Sequence, residues 1–309
     1  MRAFLFPGQG SQQVGMGKAL CDEFAVAREV FADADDALGF ALTRLCFEGP
    51  EAELKLTTNT QPAILTTSIA VLRVVESETG LRADVCAGHS LGEYSALVCA
   101  GALCFTDAVR VTRLRGQFMQ EAVPAGQGAM AAIVGGEPAV VAAACAEAAQ
   151  GQVVSPANFN GGGQIVIAGH KEAVERAVAG LKARGVKRTI PLPVSAPFHC
   201  ALMAPAAARL AVAMRDVTVG NLRIPVVSNV EAAPNSDAAR VKELLIRQVT
   251  APVRWEESIR ALAGMGVKQA VEVGPGTVLT GLCKRIAPGI KAAAACDPAQ
   301  VRALTAPAA

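Results

Sequence analysis

The sequence predicts an α/β protein, a parallel-sheet domain into which a smaller β-α-β-β-α-β unit of ferredoxin-like order is inserted. Three observations carry that expectation. Two short apolar runs, Ala3-Phe4-Leu5-Phe6 and Ala83-Asp84-Val85-Cys86-Ala87, each end in a glycine-containing loop. The second is followed by a helix-forming stretch, and strand, turn and helix in that order indicate a parallel sheet. From about Gly128 the rhythm changes to short β-rich runs broken by two helical ones. A chain of 309 residues, 52% of them hydrophobic, has material for a sizeable core.

Taken in order, Ala3–Phe6 reads as a buried strand stopped by Pro7-Gly8. Thr60–Glu78 and Asp107–Glu121 have the length and periodicity of crossover helices, and Ala83–Ala87, Gly88–Gly92 and Glu93–Ala100 read as strand, turn and helix. In the inserted unit, strands are expected at Ala129–Val134, Val153–Ala157, Gln164–Ala168 and Val186–Ile190, with helices at Glu137–Ala149 and Lys171–Ala183. Pro124–Gln127 and Pro191–Pro197 are the expected hinges. This sets residues 1–125 and 197–309 as the main domain and 126–196 as the subdomain. Pro225–Ser228 and Gln269–Val273 are candidate strands of the main sheet, and the alanine-rich tail after Ala292 is expected to be loosely held.

Lys and Arg total 29 against 27 for Asp and Glu, so the chain lacks the basic excess that neutralises nucleic-acid phosphates. No run is long and apolar enough to span a bilayer, and residues 1–6 meet Pro7-Gly8 too soon to form a secretory signal. Nine cysteines, an odd number without a Cys-x-x-Cys pair, fit the reduced cytoplasm better than a disulfide framework. Cys200, next to His199, reads as a thiol nucleophile or, preferably, as an inert core thiol.

Gly88-His89-Ser90-Leu91-Gly92, placed between a strand and a helix, has the form of a nucleophile elbow that exposes the Ser90 hydroxyl. The bland reading is a tight turn in which Ser90 merely caps the helix. An elbow also aims a backbone N–H, that of Leu91, at the oxygen that turns negative in a tetrahedral intermediate. Serine needs a base, and the chain has three histidines. His89 adjoins the serine and should point elsewhere, whereas His170 stands at a helix start, where a solvated or capping role is expected. His199, in the proline-stiffened Ser195-Ala196-Pro197-Phe198-His199, is the best candidate base, with a structural histidine as the alternative. No acid adjoins it, so a backbone carbonyl is its expected orienting partner.

Arg115 borders the apolar stripe of its helix, with Val111, Phe118 and Met119 at three- and four-residue spacing, whereas Arg113 reads as a solvated charge. An inward guanidinium must be paired, either by a substrate carboxylate or by a protein acid, and the sequence leaves both open. Gly8-Gln9-Gly10-Ser11-Gln12 follows a strand but lacks the phosphate-loop registers. It reads weakly as a nucleotide loop and equally as the source of a second oxyanion N–H, at Gln9.

Phe6-Pro-Gly-Gln-Gly-Ser-Gln12, Gly88-His-Ser-Leu-Gly-Glu-Tyr94 and Pro197-Phe-His199 occur together in this order, so the sequence resembles malonyl-CoA:acyl carrier protein transacylases and the acyltransferase domains of fatty acid and polyketide synthases. Arg113-Leu-Arg-Gly116, Asn158-Phe-Asn160, Val227-Ser-Asn229, Gln248 with Pro252-Val253, and Glu272-Val-Gly-Pro-Gly276 extend the likeness over nearly the whole chain. The resemblance implies an α/β-hydrolase-like domain with a ferredoxin-like subdomain, and Ser90 as the acylated residue with His199 as base and later acid. It further implies Arg115 on the malonyl carboxylate, Gln9 and Leu91 as the oxyanion hole, and Gln248 near His199, where a main-chain carbonyl replaces the triad acid. Asn160 and His89 are expected at the substrate site. Phe198 and Leu91 match the malonyl-selective pattern, crowding an α-methyl branch. Malonyl-CoA and an acidic acyl carrier protein are the implied partners, with Lys182, Arg184, Lys187, Arg188, Lys284 and Arg285 as candidate docking charges that otherwise read as solvated surface. No metal or redox cofactor, no nucleic acid and no membrane is expected, and the chain is expected to be a monomer. The alternatives are a polyketide acyltransferase of other extender specificity and a serine esterase or thioesterase. One departure is Gly161-Gly162, where many relatives have Ser-Pro, which leaves that loop's conformation open.

Overall fold

The computed structural model describes residues 1–194 and 196–304. Ten strands form two sheets: β1 (Arg2–Phe6), β2 (Val85–Gly88), β3 (Gly128–Val134), β4 (Val154–Gly161), β5 (Gln164–His170), β6 (Arg188–Pro191), β7 (Val226–Val227), β8 (Pro234–Asn235), β9 (Gln269–Val273) and β10 (Lys291–Ala295). The larger sheet has the order β10-β9-β1-β2-β7-β8, parallel except for the short edge strand β8. Its central strand explains the apolar run at the start of the chain. Phe4 and Phe6 enter one core, and Ala3 and Leu5 enter another on the opposite face, so the strand is covered on both sides.

Between β2 and β7 the chain builds the second sheet, β4-β5-β3-β6, wholly antiparallel. Numbered within the unit and read from the β6 edge, that order is four-one-three-two, the ferredoxin-like arrangement. The helices Pro138–Ala149 and Lys171–Ala183 close its third core over Ile133, Ile165 and Ile167. The turn from β4 to β5 is made by Gly161, Gly162 and Gly163, with φ of 86°, 62° and 74°. A Cβ on Gly161 would lie 2.5 Å from Ile286, so the glycine run that departs from Ser-Pro is fitted to its neighbour.

The expectation of a loose tail is corrected. Lys291–Ala295 pairs in parallel with β9, Ala292 facing Ala270, and the helix Pro298–Ala303 packs on the long helix Thr57–Thr79. Alanine-rich composition conceals an edge strand whose pairing is made by backbone groups, and the Asp297 carboxylate caps the last helix by accepting from Gln300 N. Residues 305–309 of that tail lie outside the described residues. Among the described residues no helix is long and apolar enough to cross a membrane.

Candidate active site

β2 delivers the chain to Gly88, the helix Gly92–Cys99 carries it away, and Ser90 stands between them at φ 51°. A Cβ on Gly88 would lie 1.9 Å from Gly92 C, and one on Gly92 would lie 2.0 Å from Phe6 O. Only glycines permit so close a turn, and the turn lifts the serine clear of both elements. Asn229, just beyond β7, brackets it: its Oδ1 accepts from Ser90 N at 2.7 Å and its Nδ2 donates to Gly88 O at 2.7 Å.

His199 comes from the loop that returns from β6, also in the left-handed region at φ 59°. Its Nε2 lies 2.7 Å from Ser90 Oγ and its Nδ1 2.8 Å from the main-chain oxygen of Gln248. A carbonyl only accepts, so Nδ1 carries the proton and Nε2 keeps a lone pair for the serine hydroxyl. The carbonyl stands where a triad would have its acid, as the missing neighbouring carboxylate suggested. Burial first, then the Arg115 cation, hold the imidazole down at about 3, so it is neutral and able to accept a proton. Ser195, the first residue of that loop's motif, lies outside the described residues.

Arg115 is 1% exposed. Its Nη1 donates to Gln61 Oε1 at 2.8 Å, and its Nη2 to Gln248 Oε1 at 2.9 Å and Ser90 Oγ at 3.2 Å. The guanidinium lies 5.6 Å from the centre of the Tyr94 ring. Among the described residues no salt bridge joins it to a carboxylate. In place of a direct protein-acid pair stands a buried cation whose hydrogen bonds go to neutral oxygens beside the serine, with Glu93 acting on it through space from the far side of Gln248.

These groups open into a cavity of about 220 Å³. Its floor includes Gln9, His89, Ser90, Leu91, Arg115, Phe198 and His199; its wall is the β3-β4-β5 face and the strand-like stretch after β6, among them Met130, Asn158, Asn160, Val166 and Leu192. His89 turns sideways, as its position predicts, with Nε2 2.9 Å from Asn160 Oδ1 and its ring 5.5 Å from that of Trp255. Burial lowers its pKa.

A family model described as the acyl transferase domain matches residues 3–300. The chain belongs to that family. Among curated relatives, the malonyl CoA-acyl carrier protein transacylase of Salmonella typhimurium is 54% identical over 301 residues, 97% of each chain. That of Bacillus subtilis strain 168 is 50% identical over 297 residues, 96% of this chain and 93% of the relative. The crystal structure of an acyl carrier protein S-malonyltransferase from Vibrio cholerae superposes with a TM-score of 0.96 at 50% identity, covering 98% of this chain and 99% of that one. A type II PKS acyl-carrier protein in complex with its malonyl-transacylase matches with a TM-score of 0.95 at 50% identity, over 97% of each chain.

Within this acyl transferase, several alternative readings of the sequence fall away. In the Gly8–Gln12 loop, Gly10 N is spent on Gln12 Oε1 and Ser11 N and Oγ on Gly8 O, so these donors do not form a phosphate cradle. Gln9 reaches Thr57 Oγ1 through its side chain and lines the cavity with Leu91. Cys200 is buried, its Sγ donating to Pro197 O, and burial raises its thiol to about 11, so thiolate is withheld. His170 is half-buried at the N-cap position of the helix Lys171–Ala183 but does not cap it through its side chain; its Nδ1 accepts from Val153 N and ties β5 to the start of β4. Arg113 is a half-buried cation stacked 4.1 Å over Phe40 rather than a solvated one.

Gln61, Asn229 and Glu93 were not among the expected site residues. Gln61 had a faint signal, a polar side chain at the start of an apolar helix. Asn229 and Glu93 sat inside matched motifs with no chemistry to single them out. Glu93 Oε2 accepts from Asn229 N at 3.0 Å and Gln248 Nε2 at 2.8 Å, and burial pushes this carboxyl up to about 7.

Proposed function

We propose that the protein is a malonyl-CoA:acyl carrier protein S-malonyltransferase. The observation that carries the reading is the buried Arg115 cation, which among the described residues touches no carboxylate, Glu93 acting on it only from behind Gln248, and which lies 3.2 Å from Ser90 Oγ, the place for an acyl group bearing its own carboxylate. The names of the relatives above support the same donor and acceptor.

In this reading Ser90 Oγ attacks the malonyl thioester carbonyl while His199 Nε2 takes its proton. The carbonyl oxygen turns negative against the N–H groups of Gln9 and Leu91. Collapse breaks the C–S bond, and His199 gives the proton to the departing CoA thiolate, which leaves as the thiol. The phosphopantetheine thiol of the carrier then gives its proton to His199 and attacks the Ser90 ester, and Ser90 leaves as the alcohol. Every step balances with protein groups and the two thiols, so no metal or redox cofactor enters. Phe198 and Leu91 crowd an α-methyl branch on the acyl group, while Asn160 and His89 line the approach. We also read residues 1–125 and 197–309 as the catalytic unit, 126–196 as a subdomain, and the cytoplasm as the compartment.

Intact-mass measurement after mixing with malonyl-CoA tests the proposal. A malonyl adduct is expected on the native protein, absent from Ser90→Ala and discharged by holo carrier protein. Hydrolysis of malonyl-CoA with no transfer to carrier would make it an esterase, and no adduct with no turnover would leave a non-catalytic scaffold.

A further inference from the structure

Glu93 is a buried carboxylate that the transfer steps above do not use, 3% exposed on the first turn of the helix after Ser90. One of its oxygens, Oε2, accepts from two donors, and each donor leads to a reacting group. Through Asn229 the path reaches the elbow, since that side chain accepts from Ser90 N and donates to Gly88 O. Through Gln248 it divides. The amide Oε1 accepts from Arg115, Nε2 also donates to Ser90 O at 2.9 Å, and the main-chain oxygen faces His199 Nδ1. Ser90 and His199 both hold left-handed φ values that non-glycine residues keep only where their surroundings over-determine them.

We propose that Glu93 is a positioning residue for acyl transfer, one oxygen of which locks Asn229 and Gln248 together and so fixes the elbow, the Arg115 guanidinium and the carbonyl behind His199. This rests on the acyl-transfer reading of Ser90 and His199. Because both bonds converge on a single oxygen, an amide oxygen in that place serves as well as a carboxylate oxygen. The requirement is for an acceptor at that point, not for a charge. A carboxyl that titrates near neutrality because of its burial fits such a role, since its oxygen accepts in either protonation state.

Three variants separate oxygen from charge. Glu93→Gln keeps the oxygen and removes the charge, Glu93→Asp keeps the charge and withdraws the oxygen by one methylene, and Glu93→Leu removes both at similar volume. Each is read by kcat and KM for Ser90 malonylation, and by the labelling rate of Ser90 with phenylmethylsulfonyl fluoride, which carries neither carboxylate nor CoA. Glu93→Gln is expected within about tenfold of the native protein in both readouts. Glu93→Asp falls below it, and Glu93→Leu loses about a hundredfold in kcat with little change in KM, as a misplacement of reacting groups does. A Glu93→Gln variant as impaired as Glu93→Asp, or a Glu93→Leu variant that matches the native protein or loses only KM, overturns the proposal. If Glu93→Leu does not fold, the order of the Gln and Asp variants decides alone. A native protein labelled by the sulfonyl fluoride but not malonylated would sink the malonyl reading, while the labelling series still judges Glu93.

Discussion

The reacting side chains on the cavity floor are held by hydrogen bonds, whereas the facing wall, from the small sheet and the stretch after it, presents Met130, Ala132, Val166, Leu192 and Val194 alongside Asn158, Asn160 and Gln164. Ser90, His199 and Arg115 on the floor form one connected network with Gln248, Asn229 and Glu93 buried behind them. Removing the hydrogen-bonding group of any member leaves a buried partner unsatisfied. The wall gives the cavity its shape. The difference teaches that the parallel sheet supplies the chemistry, while the inserted unit supplies a lid surface whose residues exchange at modest cost.

The largest expected effect is on the floor. His199→Ala should lower Ser90 acylation by about 10³-fold or more, measured by quenched-flow mass spectrometry, because among the described residues no other base is hydrogen-bonded to the hydroxyl. On the wall, Met130→Ala should change kcat/KM for malonyl-CoA by less than about tenfold and favour bulkier acyl groups, read by competition between malonyl-CoA and methylmalonyl-CoA. A loss as deep as that of His199→Ala would erase the distinction between floor and wall. The smallest effect concerns pH. A histidine held at about 3 stays unprotonated, and able to take the serine proton, as pH falls through its ordinary 6.5. Acylation should therefore stay within about twofold between pH 7 and 5. A half-loss centred near 6.5 that persists in Glu93→Gln, where the carboxyl at about 7 is removed, would show that His199 titrates as an exposed imidazole.

Much of this was legible in the sequence for physical reasons that differ by element. The elbow was readable because close backbone approach demands Gly88 and Gly92, and the small unit because its strand and helix order is distinctive. His199 could be chosen by elimination, since the chain has only three histidines. The last strand was hidden because Ala292–Ala295 carries no β-branched signal and pairs through its backbone. Gln61 and Glu93 were hidden because their roles depend on partners 54 and 155 residues away. Glu272 shows the converse, an acid within a matched motif whose oxygens accept from Leu279 N and Thr280 N at a helix start and do structural work.

The measurement that tests the central claim most directly compares Ser90 acylation by malonyl-CoA and by acetyl-CoA in the native protein and in Arg115→Ala. If the buried guanidinium holds the acyl carboxylate, the substitution should slow malonyl acylation by roughly 10²–10³-fold and leave acetyl acylation within about tenfold. Equal losses with the two donors, or an unchanged malonyl rate, would contradict it.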